Sequence, residues 1–130
     1  MKQQRGFTVI ELLVAIVFTL AAGTIFMIQK NDLDVTHRDT QRKTAINAFF
    51  YGLKKVYYTE HKSYPETLDE KILTFVDPTL FKDPNGKKLG DQQSDYRYEP
   101  TSCNNGKCQG FTLRADLQKE KDYIKTNNSK

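Results

Sequence analysis

Apolar side chains fill nearly every position from Phe7 to Ile28, FTVIELLVAIVFTLAAGTIFMI, and Glu11 is the one ionisable residue in that run. As a helix rising about 1.5 Å per residue the run spans roughly 33 Å, enough to cross a bilayer. Polar residues then take over, yet the pattern stays helical. No proline falls between Phe7 and Glu60, and Ile46, Phe49, Phe50, Leu53, Val56 and Tyr57 recur at three- and four-residue steps. Asp34 with Arg38 and Asp39 with Lys43 are acid-to-base pairs four positions apart, which this pattern assigns to an exposed face. The prediction is one helix about 80 Å long, apolar in its inner half and amphipathic in its outer half. A chain of 130 residues cannot bury such an element in its own globule, so something else must cover the inner half.

The helix is expected to end near Glu60, because Ser63-Tyr64-Pro65 places a proline where the preceding residue is pushed out of the α region. A short helix over 65–73 is predicted next, with Pro65 at an early position, Glu66 and Asp69 in the first turns, and Leu68, Ile72 and Leu73 on one face. From Asp77 to Asp95 the residues are those of loops, including Pro78, Asp83-Pro84-Asn85-Gly86 and Gly90. Asp95-Tyr96-Arg97-Tyr98-Glu99 and the segment from Gly110 to Leu117 alternate as half-buried strands do. Between them Asn105-Gly106 is a hairpin-turn signal flanked by Cys103 and Cys108, as cross-strand or loop-closing partners. Asp122 to Lys125 adds a third short strand, and Thr126 to Lys130 reads as frayed. The fold class is α+β: a long N-terminal helix packed through its outer half on a small antiparallel β-sheet.

Composition narrows the chemistry. Lys and Arg outnumber Asp and Glu by 20 to 16, a formal +4, which is no nucleic-acid-binding footprint. Arg38, Arg42, Lys43, Lys54 and Lys55 read as a solvated helix face, with contact to DNA or another surface ligand as the lesser alternative. Two cysteines five positions apart suit one local disulfide in an oxidising compartment far better than a four-ligand zinc site. His37 and His61 are expected to be solvated. No nucleophile–base pair, phosphate loop or metal-ligand spacing appears, so neither catalysis nor a cofactor is expected. Lys2 and Arg5 precede the apolar run, while the residues after it begin Lys30, Asp32, Asp34. The positive-inside tendency therefore keeps the N-terminus cytoplasmic and sends the rest outward.

Lys2-Gln3-Gln4-Arg5-Gly6 followed by Phe7-Thr8-Val9-Ile10-Glu11-Leu12-Leu13-Val14 closely resembles the signature of type IV prepilins and pseudopilins. The resemblance implies that a dedicated prepilin peptidase cuts after Gly6, that Phe7 becomes an N-methylated first residue, and that Glu11 serves assembly. It implies a layout of leader 1–6, membrane and polymerisation helix 7–28, amphipathic outer half 29–60 and a small globular head 61–130. The subunit would wait in the cytoplasmic membrane as a single-pass precursor, then join a homopolymer outside the cell with the help of the pilus assembly machinery. The proline that ordinary members often carry in the outer part of the membrane helix is missing, and Ala21-Ala22-Gly23 is the one weak point there. A secretory signal peptide cut near Ala21-Ala22-Gly23, or a plain single-span anchor, also fits the apolar run, but neither accounts for Glu11. Asp83-Pro84-Asn85-Gly86 with Asp91 and Asp95 is similar to a segment of major pseudopilins, some of which bind calcium. The spacing is not that of an EF-hand, and no metal is expected. The expected function is a structural subunit of a type IV pilus or pilus-like filament. The alternatives are a minor pilin or pseudopilin serving secretion or DNA uptake, and an anchored binding protein that never polymerises.

Overall fold

A computed structural model describes residues 7–128. Helix α1 runs Val9–Tyr51, continues through a π-helical segment Gly52–Tyr57, and closes with α2, Tyr58–His61. Lys62 ends it in the left-handed conformation at φ 54, its N–H donating to the Tyr58 carbonyl at 2.9 Å. The chain divides into two compact units between Val35 and Thr36.

In the first unit the apolar side chains have no cover: Phe7 is 84% exposed, and Phe18, Phe26 and Ile28 are also exposed. The helix there is long and apolar enough to cross a membrane.

The second unit holds an antiparallel four-stranded sheet. Strands β2 (Tyr96–Asn104) and β3 (Lys107–Ala115) form one hairpin. On the other edge of β3 lie β1 (Tyr64–Pro65), opposite Lys107 and Cys108, and β4 (Tyr123–Asn128), opposite Gly110 to Ala115. Asn104 pairs with Lys107, so Asn105-Gly106 is a two-residue turn, with φ of 49 and 78. That is the backbone for which Asn-Gly is the preferred pair. Pro100 lacks an N–H and sits in β2, an edge strand, where none is required. Along β3, Phe111, Leu113 and Ala115 alternate inward and meet Ala45, Ile46, Phe49 and Leu53 of the helix, with Phe50 and Phe111 rings 5.7 Å apart. Leu68, Leu73, Val76 and Phe81 from the connecting segment complete the core. Phe81 stands 4.7 Å from Phe49.

Five sequence expectations differ from what is observed. No helix forms over 65–73. Pro65 pairs with Lys107 instead, its carbonyl accepts from the Tyr98 hydroxyl at 2.7 Å, and the Asp69 carboxylate accepts from the N–H groups of Lys71 and Ile72 in a tight turn. Leu68, Ile72 and Leu73 still face the core, so their spacing reported burial without reporting helix. The strands are longer than their alternation suggested, and β4 continues through Thr126 to Asn128, where fraying was expected. Val56, expected on the buried face, is 38% exposed, because the wider π turn shifts the residues after Gly52 around the axis. Gly52 fits there because a Cβ would lie 2.8 Å from the Phe75 ring.

The fifth difference concerns charge. Asp39 and Arg42, assigned to an exposed face, are 4% and 1% exposed. Arg42 Nη1 donates to Asp39 at 2.9 Å, while its Nε and Nη2 donate to Asp95 Oδ2 at 3.0 and 2.6 Å. Asp39 also accepts from the backbone N–H groups of Gln118 and Lys119. Lys43, expected to pair with Asp39, reaches Glu120 at 2.7 Å. One helical turn thus ties down both loops that flank the sheet.

Candidate functional site

Sequence reasoning placed the processing and assembly chemistry at Gly6, Phe7 and Glu11. Gly6 lies outside the described residues. Phe7 and Thr8 precede the first turn of α1, and Thr8 caps it. The Thr8 hydroxyl oxygen accepts from the Glu11 N–H at 3.3 Å, and its carbonyl accepts from the Leu12 N–H at 3.1 Å. Glu11 is therefore the third residue of the helix, where the helix dipole favours a negative side chain. The Thr8 cap was missed in the sequence, although Thr-x-x-Glu before an apolar run is a capping-box signal. Glu11 is exposed in the single chain. The first turn thus presents an exposed carboxylate one helical turn from Phe7, with no ion-pair partner among the described residues.

Cys103 and Cys108 occupy directly opposed positions of the β2–β3 hairpin and are joined by a disulfide. Of the two arrangements left open by their spacing, the structure has the cross-strand one. They stand one residue outside the turn pair Asn104 and Lys107, and so lock the register of the hairpin at its tip.

The acidic residues of the 83–95 loop are drawn into the fold itself. Asp83 is buried and accepts from the N–H groups of Asn85, Lys87 and Asp95; Asp91 accepts from the Lys88 N–H; Asp95 receives Arg42 and the Asn85 side-chain amide. The Arg42 guanidinium supplies the positive charge beside these carboxylates. Among the described residues, His, Cys, Asp and Glu do not gather into a group able to hold a metal ion. His61 stacks on Tyr57 at 4.1 Å between centroids, and His37 is exposed. The Tyr96 phenol, buried beside Asp83, is pushed up to about 12, first by burial and then by that carboxylate.

The family model for the prokaryotic N-terminal methylation motif matches residues 1–17. That motif is the signature of type IV pilins and pseudopilins, and this chain carries it over its first 17 residues. It implies processing by a prepilin peptidase, a membrane-anchored precursor and dealings with an assembly machinery. Neither the curated proteins nor the solved structures yield a match.

Proposed function

We propose that the chain is a structural subunit of a type IV pilus or pilus-like filament, and that it polymerises through the helix beginning at Phe7. The observation carrying this reading is the apolar stretch from Phe7 to Ile28, exposed among the described residues and bearing one carboxylate at its first turn. In a membrane, lipid covers the apolar side chains. In a filament, the same helices from other copies do so, which exchanges one apolar environment for another. Neither environment accommodates an unpaired Glu11 without cost.

Cleavage after Gly6 supplies the partner. Hydrolysis of that bond frees the Phe7 amine, whose reference pKa of about 7.7–8.0 leaves much of it cationic, and methylation keeps it basic. The incoming amine meets the Glu11 carboxylate of a neighbouring copy at one axial offset, so the pair neutralises charge and sets register together. Thr8 supports this by starting the helix at Val9 and holding Glu11 on its first turn. Positive-inside orientation keeps the cut on the cytoplasmic side, and the assembled product lies outside the cell. Shearing surface filaments and sequencing their subunits tests the reading: a filament of this chain starting at Phe7 is expected, and a chain found only as dispersed membrane protein contradicts it.

A further inference from the structure

The tripeptide Asn-Gly-Lys occurs at 85–87 and again at 105–107. An asparagine before glycine is open to attack by the next backbone nitrogen, because glycine places no Cβ beside that nucleophile. In the reaction the glycine nitrogen bonds to the asparagine Cγ, and its proton leaves with the side-chain nitrogen as ammonia. Water then opens the cyclic imide at one carbonyl or the other, giving aspartate or its β-linked isomer. Water is the only other reactant.

Both asparagines are exposed, and both glycines are left-handed, Gly86 at φ 81 and Gly106 at φ 78. Neither local sequence nor exposure separates the two sites. Hydrogen bonding does. At the first, the Asn85 side-chain amide donates to Asp95 Oδ2 at 2.9 Å and its backbone N–H donates to Asp83 Oδ1 at 2.9 Å. The attacking group is also held, since the Gly86 N–H donates to the Asp83 carbonyl at 2.9 Å. Asp83 is buried and Asp95 is gripped by Arg42, so both reacting groups are anchored to the ion network of the head. At the second site, neither the Asn105 side chain nor the Gly106 N–H makes a hydrogen bond among the described residues, and the turn is framed instead by the Asn104–Lys107 pair.

We propose that Asn105 is a site of self-modification, converted to aspartate and its β-linked isomer in the folded subunit while Asn85 is protected, and that the Cys103–Cys108 crosslink keeps the hairpin in register afterwards. The product places a carboxylate beside Lys107 at the hairpin tip that the encoded sequence does not contain. The β-linked isomer also adds a backbone carbon to a turn built for two residues, so the Asn-Gly geometry no longer sets the register. The disulfide joins the next pair outward and does not depend on that geometry.

The test incubates the oxidised full chain in detergent micelles at mildly alkaline pH, beside the same chain unfolded in urea, and follows both sites by peptide mapping that separates the isomers. In the folded chain Asn105 is expected to convert faster than Asn85 by roughly tenfold or more, because the bonds at Asn85 must open first. In urea the two sites should converge on one rate, since their flanking glycine and lysine are the same. Asn105→Gly, which keeps a pair suited to the same turn, should abolish conversion in the hairpin and leave the melting temperature in place. The aged chain should keep its melting temperature while oxidised and, once reduced, melt below a fresh chain reduced in the same way. Equal rates at the two sites in the folded chain, a faster rate at Asn85, or an unchanged Asn105 after the unfolded chain has converted would overturn the site. Equal melting of aged and fresh chains after reduction would overturn the role given to the crosslink.

Discussion

Glu11 and Arg42 are each charges in surroundings that disfavour charge, and they are satisfied in different ways. Arg42 is satisfied within the chain, by Asp39 and Asp95. Its replacement by Met leaves two carboxylates facing each other without their cation, and the expected loss is about 3 kcal/mol of unfolding free energy, read by denaturant titration. Burial acts to raise the Asp39 pKa, but the Gln118 and Lys119 N–H groups and Arg42 outweigh it, so the folded value lies below 3.8. A depressed carboxylate stabilises above its unfolded pKa and loses that contribution as pH falls through the folded value. Stability is therefore expected to decline below about pH 4, and Asp39→Asn should flatten that decline; an unchanged slope would remove Asp39 from the account. Among the described residues Glu11 has no such partner. Glu11→Ala is expected to leave insertion and the fold of residues 36–130 intact while abolishing or sharply reducing filaments, with cleavage followed separately by intact mass. A normal filament yield from a correctly cut Glu11→Ala subunit would refute the pairing.

The elements differ in how openly the sequence declared them. The long helix was legible almost to its last residue, because an unbroken three- and four-residue pattern without proline leaves no other local solution. The Asn105-Gly106 turn was legible because its left-handed angles suit few other pairs. The segment after Pro65 was not. Its apolar spacing reported burial, but the pairing of Tyr64 and Pro65 with β3, more than forty residues on, decided its shape, and local pattern does not encode such a partner. The same limit hid Arg42. An i,i+4 charge pattern suggests neighbours on the helix alone, whereas Arg42 bonds Asp39 three positions back and also Asp95, 53 residues on. Two element-scale predictions follow from the geometry. Replacing Cys103 and Cys108 by Ser opens a very short loop and should cost about 2 kcal/mol on the chain-entropy account, seen as a lower denaturant midpoint. Gly52→Val pushes a branched side chain into the Phe75 ring and onto Val76. With Phe75 48% exposed and able to yield, about 1–3 kcal/mol is expected rather than unfolding.

At the scale of the molecule the two units divide the work. Residues 36–130 carry their own core, their own buried ion network and a disulfide, so they are built to stand in water. The stretch from Phe7 to Ile28 has exposed apolar side chains and is long and apolar enough to cross a membrane, and the proposed function covers it with lipid or with other copies of itself. On the proposed function, the event that exchanges one environment for the other is cleavage within the motif of the first 17 residues, which would remove Lys2 and Arg5 and create a new amine at Phe7. The most direct test of the central claim is intact mass spectrometry of subunits sheared from the cell surface, beside electron microscopy of the same material. The account predicts filaments whose subunit begins at N-methylated Phe7, with Cys103 and Cys108 oxidised. A chain that retains Met1 to Gly6 or begins after Gly23, or material holding this chain without filaments, would contradict it.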